Sequence, residues 1–453
     1  MPRDPAGPGP GWPGVRLEPL AKRALRGWML LGVGGLALAG ILALILAVAR
    51  MPGAGAWFPW AAQDSFRKVL VSHVVFAFVL WFWAMLGALA VCARGNGRIG
   101  LLGLAAAGAG AALILATALG GGGTPVLANY IPVLLDPVFM VGLGLYAVGV
   151  ALPVGHLLIQ PPHRDGFLAP GIASAGALFI LAVVCFALAW RALPAGSDPY
   201  DHVDTLFWGS GHMLQFAYTA LTLTAWQTLG QQAFGTAPLA TGAWRLVCAI
   251  LVIAAVPGPI LYMAIGDEPE SVRAAFTGLY TYGLPIPIAA GAIATAICIW
   301  KGPRDWRSPA FLGVTLSLAQ FLFGGLLGIF ADGGDTRTPA HYHAEIGGVN
   351  LGLMALTFVL LLPALGRAGS GSRGLRWLLW LYAGGQAIAS AGLFLAGWEG
   401  VGRKVAGAAQ GLDTLVKQGA MGLAGGGGVV AVAGGVLFIW LALARLLART
   451  EKQ

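Results

Sequence analysis

The sequence predicts an all-α integral membrane protein, a single bundle of about twelve transmembrane helices. Three observations predict it. Of 453 residues, 58% are hydrophobic and only 10% charged, and the mean hydropathy is +0.78, far from the composition of a soluble domain. Apolar runs of about 20 residues, enough to cross the hydrocarbon core, recur along the whole length. The 70 glycines suit helices packed in lipid, where small residues let backbones approach.

In order, Met1–Gly14 is rich in Pro and Gly and lacks the apolar core and cleavage site of a secretory signal. Residues 1–24 are expected to be a flexible cytoplasmic tail. The first span, 25–49, stands beside Lys22, Arg23 and Arg26. Spans two (68–93) and three (99–119) meet across Arg94 and Arg98. Span four, 127–152, opens at Tyr130-Ile131-Pro132 and contains Asp136, read as a turn with an interfacial aromatic. Span five, 167–190, follows Arg164; span six, 203–230, follows Asp198 and Asp201 and holds Asp204. Span seven, 243–265, starts near Arg245. Span eight, 275–300, lies between Asp267, Glu268 and Glu270 on one side and Lys301, Arg304 and Arg307 on the other. Span nine, 308–330, ends before Asp332 and Asp335. Spans ten (340–365) and eleven (375–397) meet across Arg367, Arg373 and Arg376. Span twelve, 426–448, follows the run Gly425–Gly428 and closes at Arg445, Arg449 and Lys452. Residues 25–449 thus form one membrane domain, and 450–453 a cytoplasmic tail.

The formal charge of +9 reads as topology, with no nucleic-acid partner. Basic and acidic ends alternate, which places both termini in the cytoplasm and the chain, multi-pass, in the inner (cytoplasmic) membrane. One outer loop breaks the alternation with Arg403, Lys404 and Lys417. Cys92, Cys185, Cys248 and Cys298 lie singly in apolar segments, so neither a thiolate cluster nor a disulfide framework is indicated.

Sidedness sorts the histidines. His73 on span two, His212 on span six, and His341 and His343 at the mouth of span ten lie within roughly 5–15 Å of the outer edge of the apolar layer. His156, His163 and His202 read as loop or interface residues. Ligating side chains inside a bilayer are costly and mark function. His341 and His343 point roughly 200° apart on one helix, so they cannot share a metal ion. Each can instead hold the iron of a separate heme, two opposed imidazoles giving a six-coordinate iron and one leaving a position open for a gas. A workable geometry puts His73 and His343 on one heme and His341 on the other, with His212 facing its open side.

These residues carry a resemblance. The run Thr338-Pro339-Ala340-His341-Tyr342-His343, with Ser72-His73 on span two and Leu206-Phe207-Trp208-Gly209-Ser210-Gly211-His212 on span six, resembles the catalytic subunit I of the heme-copper oxidase superfamily, which includes the large subunit of nitric oxide reductases. Gly400-Val401-Gly402-Arg403-Lys404 is similar to the loop whose basic pair holds heme propionates. The resemblance implies a low-spin heme on His73 and His343, a high-spin heme on His341, and His212 as first ligand of a copper or non-heme iron site. It also implies O2 or NO as substrate, and an electron donor at the outer face: a partner subunit, cytochrome c or quinol.

The departures bear on the second metal. Where the family has two adjacent histidines on span seven, this chain has Ala255-Val256-Pro257-Gly258-Pro259-Ile260-Leu261-Tyr262-Met263. Tyr262 is the nearest polar replacement, Tyr218 the tyrosine nearest after His212, and Glu268 or Glu270 the carboxylates that would have to substitute. One imidazole is too few for a stable copper or iron site. Two readings follow: a diheme oxidoreductase with a degenerate second metal site, in which His212, Tyr218 and Tyr262 are the catalytic candidates, or a non-catalytic diheme protein for electron transfer or gas binding. A heme-free transporter would leave the histidine array unexplained. If the implied ligand set holds, His343→Ala removes the low-spin signal from a reduced-minus-oxidised spectrum while His341→Ala spares it; joint loss without unfolding would contradict the assignment.

Overall fold

The computed structural model describes residues 17–54, 63–161, 167–193, 198–265, 268–331, 333–367 and 373–448. His163, Arg164, Asp267, Asp332, Arg449, Lys452 and most of the N-terminal tail lie outside these residues. Twelve long helices cross the molecule in alternating directions. The first is α1 (Pro19–Ala49). Next comes α2, built from Gln63–Val74, a π-helical segment Val75–Leu80, and Trp81–Arg94. Then follow α3 (Gly97–Leu119), α4 (Pro137–Ile159), α5 (Leu168–Ala192) and α6 (Pro199–Phe234). Two further helices are broken at proline: α7 (Thr241–Ala255, then Pro257–Ile265) and α8 (Pro269–Gly283, then Pro285–Lys301). The last four are α9 (Pro309–Gly328), α10 (Arg337–Leu356, a π-helical Thr357–Leu361, then Leu362–Ala364), α11 (Arg373–Trp398) and α12 (Leu415–Leu447).

Eleven of these are long and apolar enough to cross a membrane. The exception, α6, is the central one: 25 of its 36 residues are buried. It needs little hydropathy because its neighbours, not lipid, surround it, and it spends that freedom on Asp204, His212, Gln227 and four buried threonines.

The expected limits shift where local chemistry overrides hydropathy. Span four begins ten residues later than expected. Asp136 caps the helix, its Oδ1 accepting from Val138 N at 2.8 Å, and Pro137 occupies the first turn, where its missing N–H costs nothing. The apolar residues upstream form a hairpin instead, β1 (Thr124–Val126) paired antiparallel with β2 (Val133–Leu135) in the register Val126↔Val133. Span twelve begins eleven residues earlier, at Leu415, capped by the Thr414 hydroxyl. Its glycine run stays helical because α11 packs directly on it: a Cβ on Gly427 would meet the Ala389 backbone. The first helix likewise starts at Pro19, so Lys22 and Arg23 lie on it.

The π-helical segment of α2 begins two residues after His73. Such a segment adds a residue to one turn and leaves backbone carbonyls seeking partners. Two tyrosines supply them: Tyr146 of α4 donates to Leu80 O at 2.7 Å, and Tyr218 of α6 donates to Phe78 O at 3.1 Å. Tyr218 also accepts from Trp83 Nε1 at 3.0 Å and packs edge-on to Phe78 and Phe82. Six residues along α6 from His212, it faces α2 and not that histidine. Its place is beside the segment that sets the direction of His73. Tyr218→Phe leaves Phe78 O and Trp83 Nε1 without this partner, and the expected cost is about 1–3 kcal/mol, read as a lowered midpoint in thermal unfolding of the detergent-solubilised protein.

Candidate heme-binding site

Helix alternation gathers His73, His212, His341 and His343 at one end of the bundle, where the β-hairpin and the 399–414 loop also lie. Three of the four imidazoles are held in the same way. His73 Nδ1 lies 3.0 Å from Ala39 O of α1, His343 Nδ1 lies 2.7 Å from Pro339 O one turn back, and His341 Nδ1 lies 2.8 Å from Gly324 O of α9. A carbonyl only accepts, so Nδ1 carries the proton and Nε2 keeps its lone pair. That is the arrangement in which a histidine ligates iron through Nε2 while its other nitrogen fixes the ring.

His73 and His343 are within electrostatic range of each other, and Tyr342 stacks on His343 with ring centroids 5.1 Å apart. All three side chains are half-buried. Two imidazoles with Nδ1 on a backbone carbonyl and Nε2 free of hydrogen bonds have the donor chemistry of a bis-histidine heme site. Arg50 stands over this site. It donates to Gly402 O and Gln410 Oε1 and lies within electrostatic range of Tyr342 and His343. Burial pulls its guanidinium down to about 10, still charged at neutral pH.

His341 points to the other face of α10. Opposite it, α9 has glycines four residues apart: a Cβ on Gly328 would strike the His341 ring, and one on Gly324 would strike Glu345. The pair forms a cradle for the imidazole and for the carboxylate one turn deeper. Glu345 Oε2 lies 3.6 Å from His341 Nε2, beyond hydrogen-bonding distance, so the lone pair remains available. The donor chemistry fits a heme with one axial histidine. Tyr280 of α8 lies within electrostatic range of Glu345 and has its ring 5.9 Å from that of His212, so it stands between the two sides.

His212 shares the Nδ1 anchor and differs at Nε2. Its Nδ1 lies 2.8 Å from Trp208 O, and its Nε2 lies 3.0 Å from the Tyr130 hydroxyl. Rings of Trp208, Tyr130, Phe276 and Tyr280 surround it at 4.8–6.0 Å. Gly211 gives the Tyr130 ring its space, and Gly209 does the same for Tyr262, whose buried hydroxyl abuts the Gly209 backbone outside hydrogen-bonding geometry. Among the described residues no three His, Cys, Asp or Glu side chains form a metal-ligand set. The residues present therefore do not fit a second metal ion: His212, expected as its ligand, has both nitrogens engaged by other partners. Glu268 and Glu270 stand at the start of α8, Glu268 as its N-cap residue.

The loop after α11 closes over this end. Asp335 and Gly402 form a β-bridge, Thr336 N donates to Val401 O at 3.0 Å, and Arg403 N donates to Gly334 O at 3.3 Å. The entrance to the His341–His343 helix is thus clamped by the Arg403–Lys404 loop. Arg403 donates to Asn129 Oδ1 at 2.8 Å and Lys404 donates to Leu127 O. Lys404 is the only non-glycine with positive φ (62°) among the described residues, a strained backbone of the kind that persists where surrounding structure imposes it. Buried Asp204 accepts from Asn129 N at 2.9 Å and pairs with Arg273 at 3.7 Å.

Sequence reasoning missed Arg50, Glu345, Tyr130, Tyr280 and the Gly324–Gly328 cradle. Arg50 did carry a signal, since it follows span one at the end that the charge alternation leaves free of basic residues. So did Glu345, a lone carboxylate inside an apolar run. The exception to the charge alternation is accordingly wider than one loop, for Lys68, bound to Gly121 O, and Arg273 share this end with Arg50.

No family model matches the chain. An uncharacterized protein of Aquifex aeolicus is 27% identical over 363 residues, covering 74% of this chain and 83% of that one. An uncharacterized protein of Rickettsia prowazekii is 24% identical over 496 aligned positions, covering 91% and 94%. Among solved structures, a heme-copper terminal oxidase determined as a dimer by cryo-EM superposes with a TM-score of 0.71 over 96% of this chain and 86% of its own, at 15% identity. The fold is therefore a subunit I-like bundle of the heme-copper oxidase type.

Burial, then the neighbouring Arg403, lowers the Lys404 ammonium to about 8, opposed by Asp204. A depressed folded-state value means the unfolded chain binds the proton more tightly between about 8 and the ordinary 10.5. The group weakens folding below that window, and the deficit fades as pH rises through it. In heme-free protein, the stability of Lys404→Gln relative to wild type is accordingly expected to fall between pH 7 and pH 10, measured by denaturant titration.

Proposed function

We propose that the chain is a diheme membrane protein. A low-spin heme between His73 and His343 would pass electrons to a high-spin heme on His341, whose open face takes O2 or NO. The observation that carries this reading is the shared anchoring of three imidazoles, each with Nδ1 on a backbone carbonyl and Nε2 free of hydrogen bonds. His73 and His343 would hold one heme from two sides, and His341 would hold a second from one side. When bound, the hemes supply reversible one-electron chemistry and an open iron position for a gas. The protein orients the imidazoles, excludes lipid and bulk water, and places Arg50, Arg403 and Lys404 at the end where propionate carboxylates emerge. The terminal-oxidase fold supports an oxidoreductase setting in a respiratory membrane, with an electron-donor subunit, cytochrome c or quinol delivering at the outer face.

Within this reading, the engagement of His212 by Tyr130 favours gas binding and electron transfer over rapid reductive cleavage. Preorganised charge at the far end of the ligand is a large catalytic term, and the residues that would hold a second metal are not assembled. Purified protein is expected to yield two hemes per chain on extraction, with one carbon-monoxide-reactive component in its reduced spectrum. Oxygen or nitric oxide consumption, alongside copper and non-heme iron analysis, then decides between the enzyme and the gas-binding protein. A heme-free preparation from heme-replete cells would end the proposal.

A further inference from the structure

The second site contains a tyrosine without an assigned task. Tyr280 lies on the first segment of α8, with its ring beside His212 and within electrostatic range of both Tyr130 and Glu345. Its hydroxyl makes no hydrogen bond among the described residues, and the side chain is only partly buried although protein surrounds it. Its ring lies 5.9 Å from that of His212 on α6, and Glu345 on α10 is within electrostatic range, so it stands between α6 and α10.

The neighbouring groups cannot take its role. The neutral His212 donates from Nδ1 to Trp208 O, so its Nε2 accepts the Tyr130 proton. That pair presents no N–H or O–H to the pocket. The Tyr262 hydroxyl is confined against the Gly209 backbone. Glu345, on the His341 side, belongs to the opposite face. The Tyr262 hydroxyl, also unpartnered, is sealed from access, and Tyr280 is the unpartnered hydroxyl that retains accessible surface.

Resting on the heme assignment above, we propose that Tyr280 is the distal hydrogen-bond donor to a small diatomic ligand on the open face of the His341-held heme. The Tyr130–His212 pair backs its ring and keeps a metal ion out. Polarity and donors on the distal side decide between holding and activating such a ligand. A single phenolic donor in an aromatic wall favours holding a polar diatomic (O2 or NO) over carbon monoxide.

The test compares wild type, Tyr280→Phe and Tyr282→Phe as full-length, heme-loaded protein. Tyr282 is 82% exposed on the outside of the same helix and serves as control. Infrared spectra of the reduced carbon monoxide adduct and release rates of nitric oxide are the readouts. Tyr280→Phe is expected to move the C–O stretch to higher wavenumber and to speed nitric oxide release about tenfold, the loss of one hydrogen bond. Tyr282→Phe should change neither. If wild type binds carbon monoxide and Tyr280→Phe matches it in both readouts, the donor role is overturned while the heme assignment stands. If wild type carries hemes but binds no carbon monoxide, the open-face site itself falls.

Discussion

An imidazole buried in a membrane bundle has two nitrogens to satisfy, and one backbone carbonyl fixes the use of both. Once Nδ1–H is held by a carbonyl, the ring can only present a lone pair from Nε2, in a direction set by the helix that owns the carbonyl. His343 takes the carbonyl of its own preceding turn. His73 and His341 take theirs from α1 and α9, so packing between helices aims them. The cradle on α9 and the tyrosines that hold the π-helical segment of α2 serve the same end. They set how closely two helices approach and how far one is wound.

The fourth histidine shows what the same backbone does when the partners change. His212 has the same Nδ1–carbonyl anchor, yet its Nε2 meets a phenol. Tyr130 reaches it from the segment joining the hairpin strands, through the gap over Gly211, and Tyr262 from α7 fills the gap over Gly209. A position that could converge on a metal ion has become a wall of aromatic rings with one polar thread. Under the function proposed above, such a surface offers no preorganised charge to a leaving oxygen and suits reversible association more than bond cleavage.

Much of the fold was legible in the chain, because apolar length and charge alternation report directly on membrane crossings. The errors arose where hydropathy was silent. Val133 and Leu134 are as apolar as a span, but Asp136-Pro137 starts the helix after them. The Gly425–Gly428 run looks like a break, and only the α11 backbone against it explains why it continues. The grouping of four histidines at one level was legible from depth and spacing. Tyr130 and Tyr280 were not, for each owes its place to a contact with His212 from a distant part of the sequence. Tyr218 shows the converse: close to His212 in sequence, it lies on a different face of α6, with its hydroxyl on Phe78 O of α2.

Arg50 ties the close of the first helix to Gly402 and Gln410, some 350 residues downstream. At the opposite end of the molecule, Arg26 reaches Leu446 O. The first helix is thus tied at one end to the loop before α12 and at the other to α12 itself. Those ties join residues 352 and 420 apart in sequence, so they close late in folding, after the nearer contacts have formed.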